Sequence, residues 1–296
     1  PFAPALADTP GPTFGLLLDA GGATALPAPP DLPADRPLVA RIVARWDEVE
    51  TEKGVYDWST IAPAVEALAA GRFRVVLCLT GPNPLHLADG KPPSPLEGDS
   101  LAAWTAFVRS AVRSLAPEVG VFEIWDGPAA AFDPAVYAFV LKSSALAVRA
   151  EARAAGVEAR VAEGAISASD LKWQKSLWLQ DAAAYVDVLP VRVSAGSAEI
   201  SREVETVFRE AIRNPPAPEY WAYVEAGGAG GPSAAAAAVQ AASASLPATV
   251  ALARMPEGVA DLEREARVVY GLHAALAGFA PAPRGQVEFV GDDRVP

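Results

Sequence analysis

The sequence predicts an α/β fold of one kind, a parallel eight-stranded (β/α)8 barrel, or TIM barrel. Three observations carry that expectation. Short apolar runs alternate with helical segments from one end of the chain to the other. The runs are nearly continuous in apolar residues, as expected when a parallel sheet is buried on both faces. The 296 residues, 51% of them hydrophobic, suit one large core better than two small ones.

Each element has a local reason. The first run is TFGLLLD (13–19). The segment GGATALPAPPDLPADRP (21–37) is too rich in proline for a helix, so a loop is expected to replace the first helix. The next runs are PLVARIVAR (37–45), RFRVVLCLT (72–80) and VGVFEIW (119–125). A helix then opens with Asp133 as cap and Pro134 at its first position, and stops at Gly156. Runs five and six are VEARVAEG (157–164) and YVDVLPVRV (185–193). In SAEISREVETVFREAIRNPP (197–216), Ile200, Val204, Val207, Phe208 and Ile212 fall on one helical stripe before a proline pair. YWAYVEAG (220–227) and ATVALARM (248–255) complete the eight. Between them, the glycines of GGAGGPSAAAAAVQAASASL (227–246) read as a loop and its alanines as a helix. The expected division is an N-terminal extension (1–12), a barrel (13–280) and a tail (281–296) with strand character, the start of a further β domain.

Charge and composition exclude several classes of function. A net charge of −12 and a pI near 4.7 oppose nucleic acid and anionic membranes. No apolar run approaches the roughly 18 residues that span a bilayer. Cys78 is the single cysteine, and His86 and His273 lie far apart, so no metal or other cofactor is expected. Cys78 reads as an inert buried thiol and His86 as a surface residue. The chain does not begin with methionine, which is expected of a processed or excised piece, and a removed secretion signal accounts for it. Arginine among the basic residues, with abundant alanine and proline, points to a GC-rich bacterial source.

The stretch ARIVARWDEVETEKGVYDW (40–58) carries a specific pattern: Arg41 five residues before Trp46, then Glu50, Lys53, Gly54, Tyr56, Asp57 and Trp58. It resembles the second-strand signature of retaining glycoside hydrolases with a (β/α)8 fold, nearest to the β-xylosidase-like family 39 and related bacterial exopolysaccharide hydrolases. VFEIWDGP (121–128) is similar to the segment that presents the acid/base in these enzymes, matching at Glu123, Ile124, Trp125 and Pro128, with Tyr137 downstream. YVDVLPVRVS is similar to their sixth strand, with Asp187 matching and Arg192 where the family has His. YWAYVEAGG resembles their seventh strand.

The resemblance implies Glu225 as nucleophile and Gly127 as the position of the acid/base. A retaining glycosidase needs two carboxyls about 5–5.5 Å apart, one to attack the anomeric carbon and one to move protons. Glycine has no side chain and cannot do the second task. Asp126 stands where the family has Asn, and Trp221 precedes Glu225 by four residues where the family has three. As replacements, Asp19 and Glu163 end strands at the expected rim, and Asp126 reaches inward only if the chain turns sharply after Trp125. Glu123 shares strand parity with Gly127 but lies about 13 Å lower, towards the floor. Arg41, Arg192, Trp125, Trp221, Glu163 and Asp19 are the expected sugar-contacting residues, the two tryptophans through ring stacking, with core packing the equal alternative for both. Trp46 and Trp58 are expected in the core.

The expectation is therefore a glycoside hydrolase-like barrel with impaired catalysis, a pseudoglycosidase, acting outside the cytoplasm as a carbohydrate-binding or structural module. An active retaining glycosidase with a displaced acid, and an assembly domain of a larger surface protein, are the alternatives. Oligo- or polysaccharide is the expected partner, with room for protein partners or further domains of the same polypeptide.

Overall fold

A computed structural model describes residues 13–18, 20–26, 37–86, 98–194, 219–225, 250–254, 266–267 and 269–270. Residues 197–216 and 227–246, Asp19 and both termini, for which the sequence raised expectations, lie outside this set.

Among the described residues, nine parallel strands form one curled sheet: β1 (Thr13–Leu17), β2 (Val39–Arg45), β3 (Arg74–Thr80), β4 (Val119–Ile124), β5 (Arg160–Glu163), β6 (Ile166–Ser167), β7 (Val188–Ser194), β8 (Glu219–Glu225) and β9 (Val250–Arg254). Their order is β5-β4-β3-β2-β1-β9-β8-β7-β6. Ala162 of β5 also pairs with Val188 of β7, which curls the sheet round on itself. β6 is a two-residue spur on β7 that the apolar pattern gave no sign of. The architecture is TIM-barrel-like.

Alternation along the strands sorts side chains into two layers. Leu17, Val39, Val76, Val121, Ala162, Val188, Trp221 and Tyr223 pack together inside the curl. Their strand neighbours Leu38, Ile42, Leu77, Phe122 and Val161 pack outwards against the helices. These are α1 (Ala20–Thr24), α2 (Trp46–Val49), α3 (Ala62–Ala70), α4 (Asp99–Leu115), α5 (Pro128–Ala131), α6 (Pro134–Ala155) and α7 (Leu171–Trp178). α6 starts and stops where the sequence says: Asp133 accepts a hydrogen bond from the Ala135 N–H, and Gly156 takes a left-handed φ of 71°. Its neighbour α4 buries Trp104, Phe107, Val108, Ala111 and Val112 on one stripe. Glu151 of α6 ties the two helices by accepting from Arg109 (3.0 Å) and from Arg113 (2.7 and 2.8 Å).

The loop expected after the first strand needs correction at its start. Residues 20–24 make one helical turn, because the prolines begin only at Pro27 and nothing before them forbids it. The proline-rich part, 27–36, lies outside the described residues.

The 40–58 motif is a scaffold. Trp46 is fully buried, stacks on His86 at 5.0 Å and donates its indole N–H to Glu50 (2.5 Å). Glu50 also accepts from the Gly54 N–H (2.7 Å) and contacts His86 Nε2 at 2.9 Å. Gly54 sits at φ 77°, which favours glycine over any side chain. His86 is thus a mostly buried partner of Glu50, not the surface residue the sequence led us to expect. Trp58 stacks on Phe107 at 5.6 Å in the same core.

Candidate functional site

Side chains from four strands and one turn form a chain of contacts inside the curl that reaches the carboxyl ends of the sheet, the rim where barrel folds carry their sites. β2 supplies Arg41, β4 Glu123, β8 Tyr223 and β7 Arg192; the turn after β4 supplies Asp126 and Gly127. Arg41 grips Glu123 with two hydrogen bonds, Nε to Oε2 at 2.6 Å and Nη2 to Oε1 at 3.0 Å. Tyr223 donates its hydroxyl to Glu123 Oε2 at 2.8 Å, and the Arg41 guanidinium lies 5.3 Å from the Tyr223 ring centre. Burial disfavours a charged Arg41, but Cys78, Glu123 and Tyr223 outweigh it and push its pKa well up. Burial, reinforced by Glu123, likewise pushes the Tyr223 hydroxyl up, so the phenol stays a proton donor.

Asp126 sits one layer higher. Its Oδ1 accepts from Arg192 Nη2 at 2.6 Å and from Arg41 Nη2 at 3.1 Å. Trp125 makes this possible: it adopts a positive φ of 70°, costly for a residue with a side chain, and the chain reverses its facing there. The Trp125 N–H still bonds to Leu79 O (2.8 Å), and the Asp126 N–H donates to Thr80 Oγ1 (3.1 Å). Gly127 follows at φ 65°, again left-handed. A Cβ placed on it would meet the Arg192 guanidinium, with Nη1 at 3.7 Å.

The other expected site residues fall elsewhere. Trp125 is not at an open rim; the reversal turns its ring into the helix layer, against Phe132 at 4.6 Å and Trp104 at 5.2 Å. Trp221 is also displaced: it is 0% exposed, inside the curl two positions before Tyr223, and its indole N–H bonds to Glu219 (3.0 Å). Neither ring is free to stack on a ligand. Glu163 ends β5, but one residue beyond inward Ala162 it takes the outer face, where it meets Gln174 of α7. Asp187 lies at the opposite end of β7, accepting from the Val161 N–H (2.8 Å) and contacting Arg149. Glu225 is the last residue of β8, in register with Ser194; its side chain lies outside the described set. Sequence reasoning missed Tyr223 and Thr80 and set Glu123 aside as a floor residue. Parity held the signal, since Tyr223 stands two residues before Glu225 on the same strand.

No protein-family model and no curated protein matches this sequence. Solved structures do match. A family 39 glycoside hydrolase from Bacteroides cellulosilyticus WH2 superposes with a TM-score of 0.67 at 14% identity, over 91% of this chain and 65% of its own. The fold is glycoside hydrolase-like. A GH30 endoxylanase from Clostridium papyrosolvens C71 gives 0.62 at 13% identity, covering 93% of this chain and 73% of its own. The endo-β-1,4-glucanase Xac0029 from Xanthomonas axonopodis pv. citri gives 0.61 at 8%, covering 90% and 99%. This chain therefore spans a little under two thirds of the family 39 structure it resembles.

Proposed function

We propose that this chain folds as a (β/α)8 barrel of glycoside hydrolase type that has lost ordinary hydrolysis and works outside the cytoplasm as a carbohydrate-binding or structural module. One observation carries the reading. At the turn after β4, the position read as the acid/base is Gly127, and what faces it is the guanidinium of Arg192. The adjacent carboxylate, Asp126, has one oxygen accepting hydrogen bonds from two arginines, at 2.6 and 3.1 Å. A nucleophile at Glu225 would need a second carboxyl about 5–5.5 Å away, and Gly127 has no side chain to supply it. The solved neighbours support a carbohydrate ligand; a family 39 hydrolase and xylanases stand among them. No helix among the described residues is long and apolar enough to cross a membrane.

Two measurements test this. Incubation with 4-nitrophenyl β-xyloside and β-glucoside should give no release of nitrophenol above the uncatalysed rate. Turnover that Glu225→Gln abolishes would overturn the reading and favour the active glycosidase. Calorimetric titration with xylo- and cello-oligosaccharides should show binding that weakens in Arg192→Ala. A folded protein that binds none of them points to the structural role alone.

A further inference from the structure

A second buried carboxyl lies behind the turn, on the opposite side of the sheet from Arg41. Glu163 is 1% exposed and its Oε1 has no hydrogen-bond partner. Gln174 of α7 is 0% exposed, and neither its amide oxygen nor its amide nitrogen has one. Three buried polar atoms without partners in one place demand an account. We propose that Glu163 and Gln174 form a neutral acid–amide pair, direct or through one water, whose making and breaking sets the placement of the turn that carries Asp126.

The chemistry fits only one protonation state. A protonated carboxyl can donate its O–H to the amide oxygen while its carbonyl accepts from the amide N–H. An ionised carboxylate has no proton for the amide oxygen, and the two acceptors face each other. The surroundings favour the neutral form: burial pushes Glu163 up to about 8, against a lowering influence of Gln174. From α6 the titratable group facing Glu163 is Tyr137, whose hydroxyl donates to Ile124 O (2.5 Å) and accepts from the Gly164 N–H (2.9 Å). From α7 it is the uncharged Gln174. No cation among the described residues contributes to offsetting a charge there.

Transmission to the turn is steric. Gly164, the next residue, is packed so tightly that an added Cβ would lie 2.4 Å from Trp125 O, 2.8 Å from Ile124 O and 2.7 Å from Pro128 Cδ. When Glu163 gives its proton to water, the carboxylate must be hydrated. The end of β5 is the backbone that has to yield, and it cannot shift without moving Trp125. Trp125 already holds a strained φ, and Asp126 follows it. Glu163 is thus a positioning residue for the Asp126–Arg192 contact. The inference does not depend on the function proposed above.

The test uses the whole chain. The Glu163 carboxyl 13C shift should titrate with a midpoint near 8. Amide exchange in 124–128, corrected for its intrinsic pH dependence, should accelerate about tenfold across the same midpoint. Glu163→Gln keeps an amide in place of the neutral acid and should abolish that acceleration. A Glu163 midpoint in the ordinary carboxylate range, or exchange in 124–128 that does not follow it, overturns the proposal. So does a Glu163→Gln variant that keeps the same acceleration. The carboxyl titration of the unsubstituted protein decides even if the variant does not fold.

Discussion

Glu123, one residue before the end of β4, and Glu163, the last residue of the adjacent β5, are both buried, yet they live in opposite conditions. Glu123 is on the inner face and takes two bonds from Arg41 and one from Tyr223. Glu163 is on the outer face, with an oxygen that has no hydrogen-bond partner and a pKa pushed up by burial. The difference teaches that burial alone does not set the state of a carboxyl. Partners do, and one step along a strand decides which partners are within reach.

The comparison can be broken from the Glu123 side first. Glu123→Ala leaves Arg41 charged, buried and short of its main partner, so it should cost about 3–5 kcal/mol in urea unfolding. Replacing both members, as Arg41→Met with Glu123→Leu, should cost clearly less. A double-variant loss equal to the sum of the Arg41→Met and Glu123→Leu losses would mean that the pair is not coupled.

Next comes Glu163→Gln, which should stabilise. A carboxyl whose folded pKa is raised contributes stability that is fully present below its unfolded value, 4.5, and lost as pH rises through about 8. The full shift is worth up to about 5 kcal/mol, reduced by whatever hydration the site can recruit. A gain of about 2–3 kcal/mol over the parent is expected near pH 8, vanishing towards pH 4, with a flatter pH profile. An unchanged profile would show that Glu163 is already satisfied.

Gly164→Ala probes the link between the two regions. The new Cβ has backbone oxygens in its way, so a loss of about 2 kcal/mol and faster exchange in the turn are expected. The smallest effect belongs to Glu151. It carries two arginine contacts, and Arg113 holds its carboxyl below the usual range, but Arg109 is nearly half exposed and Arg113 more than half. Glu151→Ala should cost no more than about 1 kcal/mol, and less at high salt.

Much of the fold was legible in the residues. The apolar runs from 13 to 19 and from 37 to 45 became β1 and β2, and the cap and stop at Asp133 and Gly156 bound α6 as read. The scaffold motif at 40–58 was also visible, although its Glu50–His86 contact was not. The site was less legible. Asp126 was expected to face away unless a turn intervened, and the turn exists because Trp125 accepts a backbone conformation that its sequence does not advertise. Glu163 and Trp125 were read as rim residues from their position along the strand. Their facing, not their height, decided otherwise.

By itself the sequence determined the period and placement of the strands, the ends of the long helix, and the fact that position 127 offers no side chain. These follow from local preference and from hydrophobic spacing, which act within a few residues. Only the tertiary structure decided that Arg192 stands over Gly127, that Asp126 lies between two guanidiniums, and that Glu123 and Glu163 part to opposite faces. Such contacts join residues 66, 82 and 85 positions apart. They depend on strand register and on one reversed peptide, and neither is written in the spacing of apolar residues.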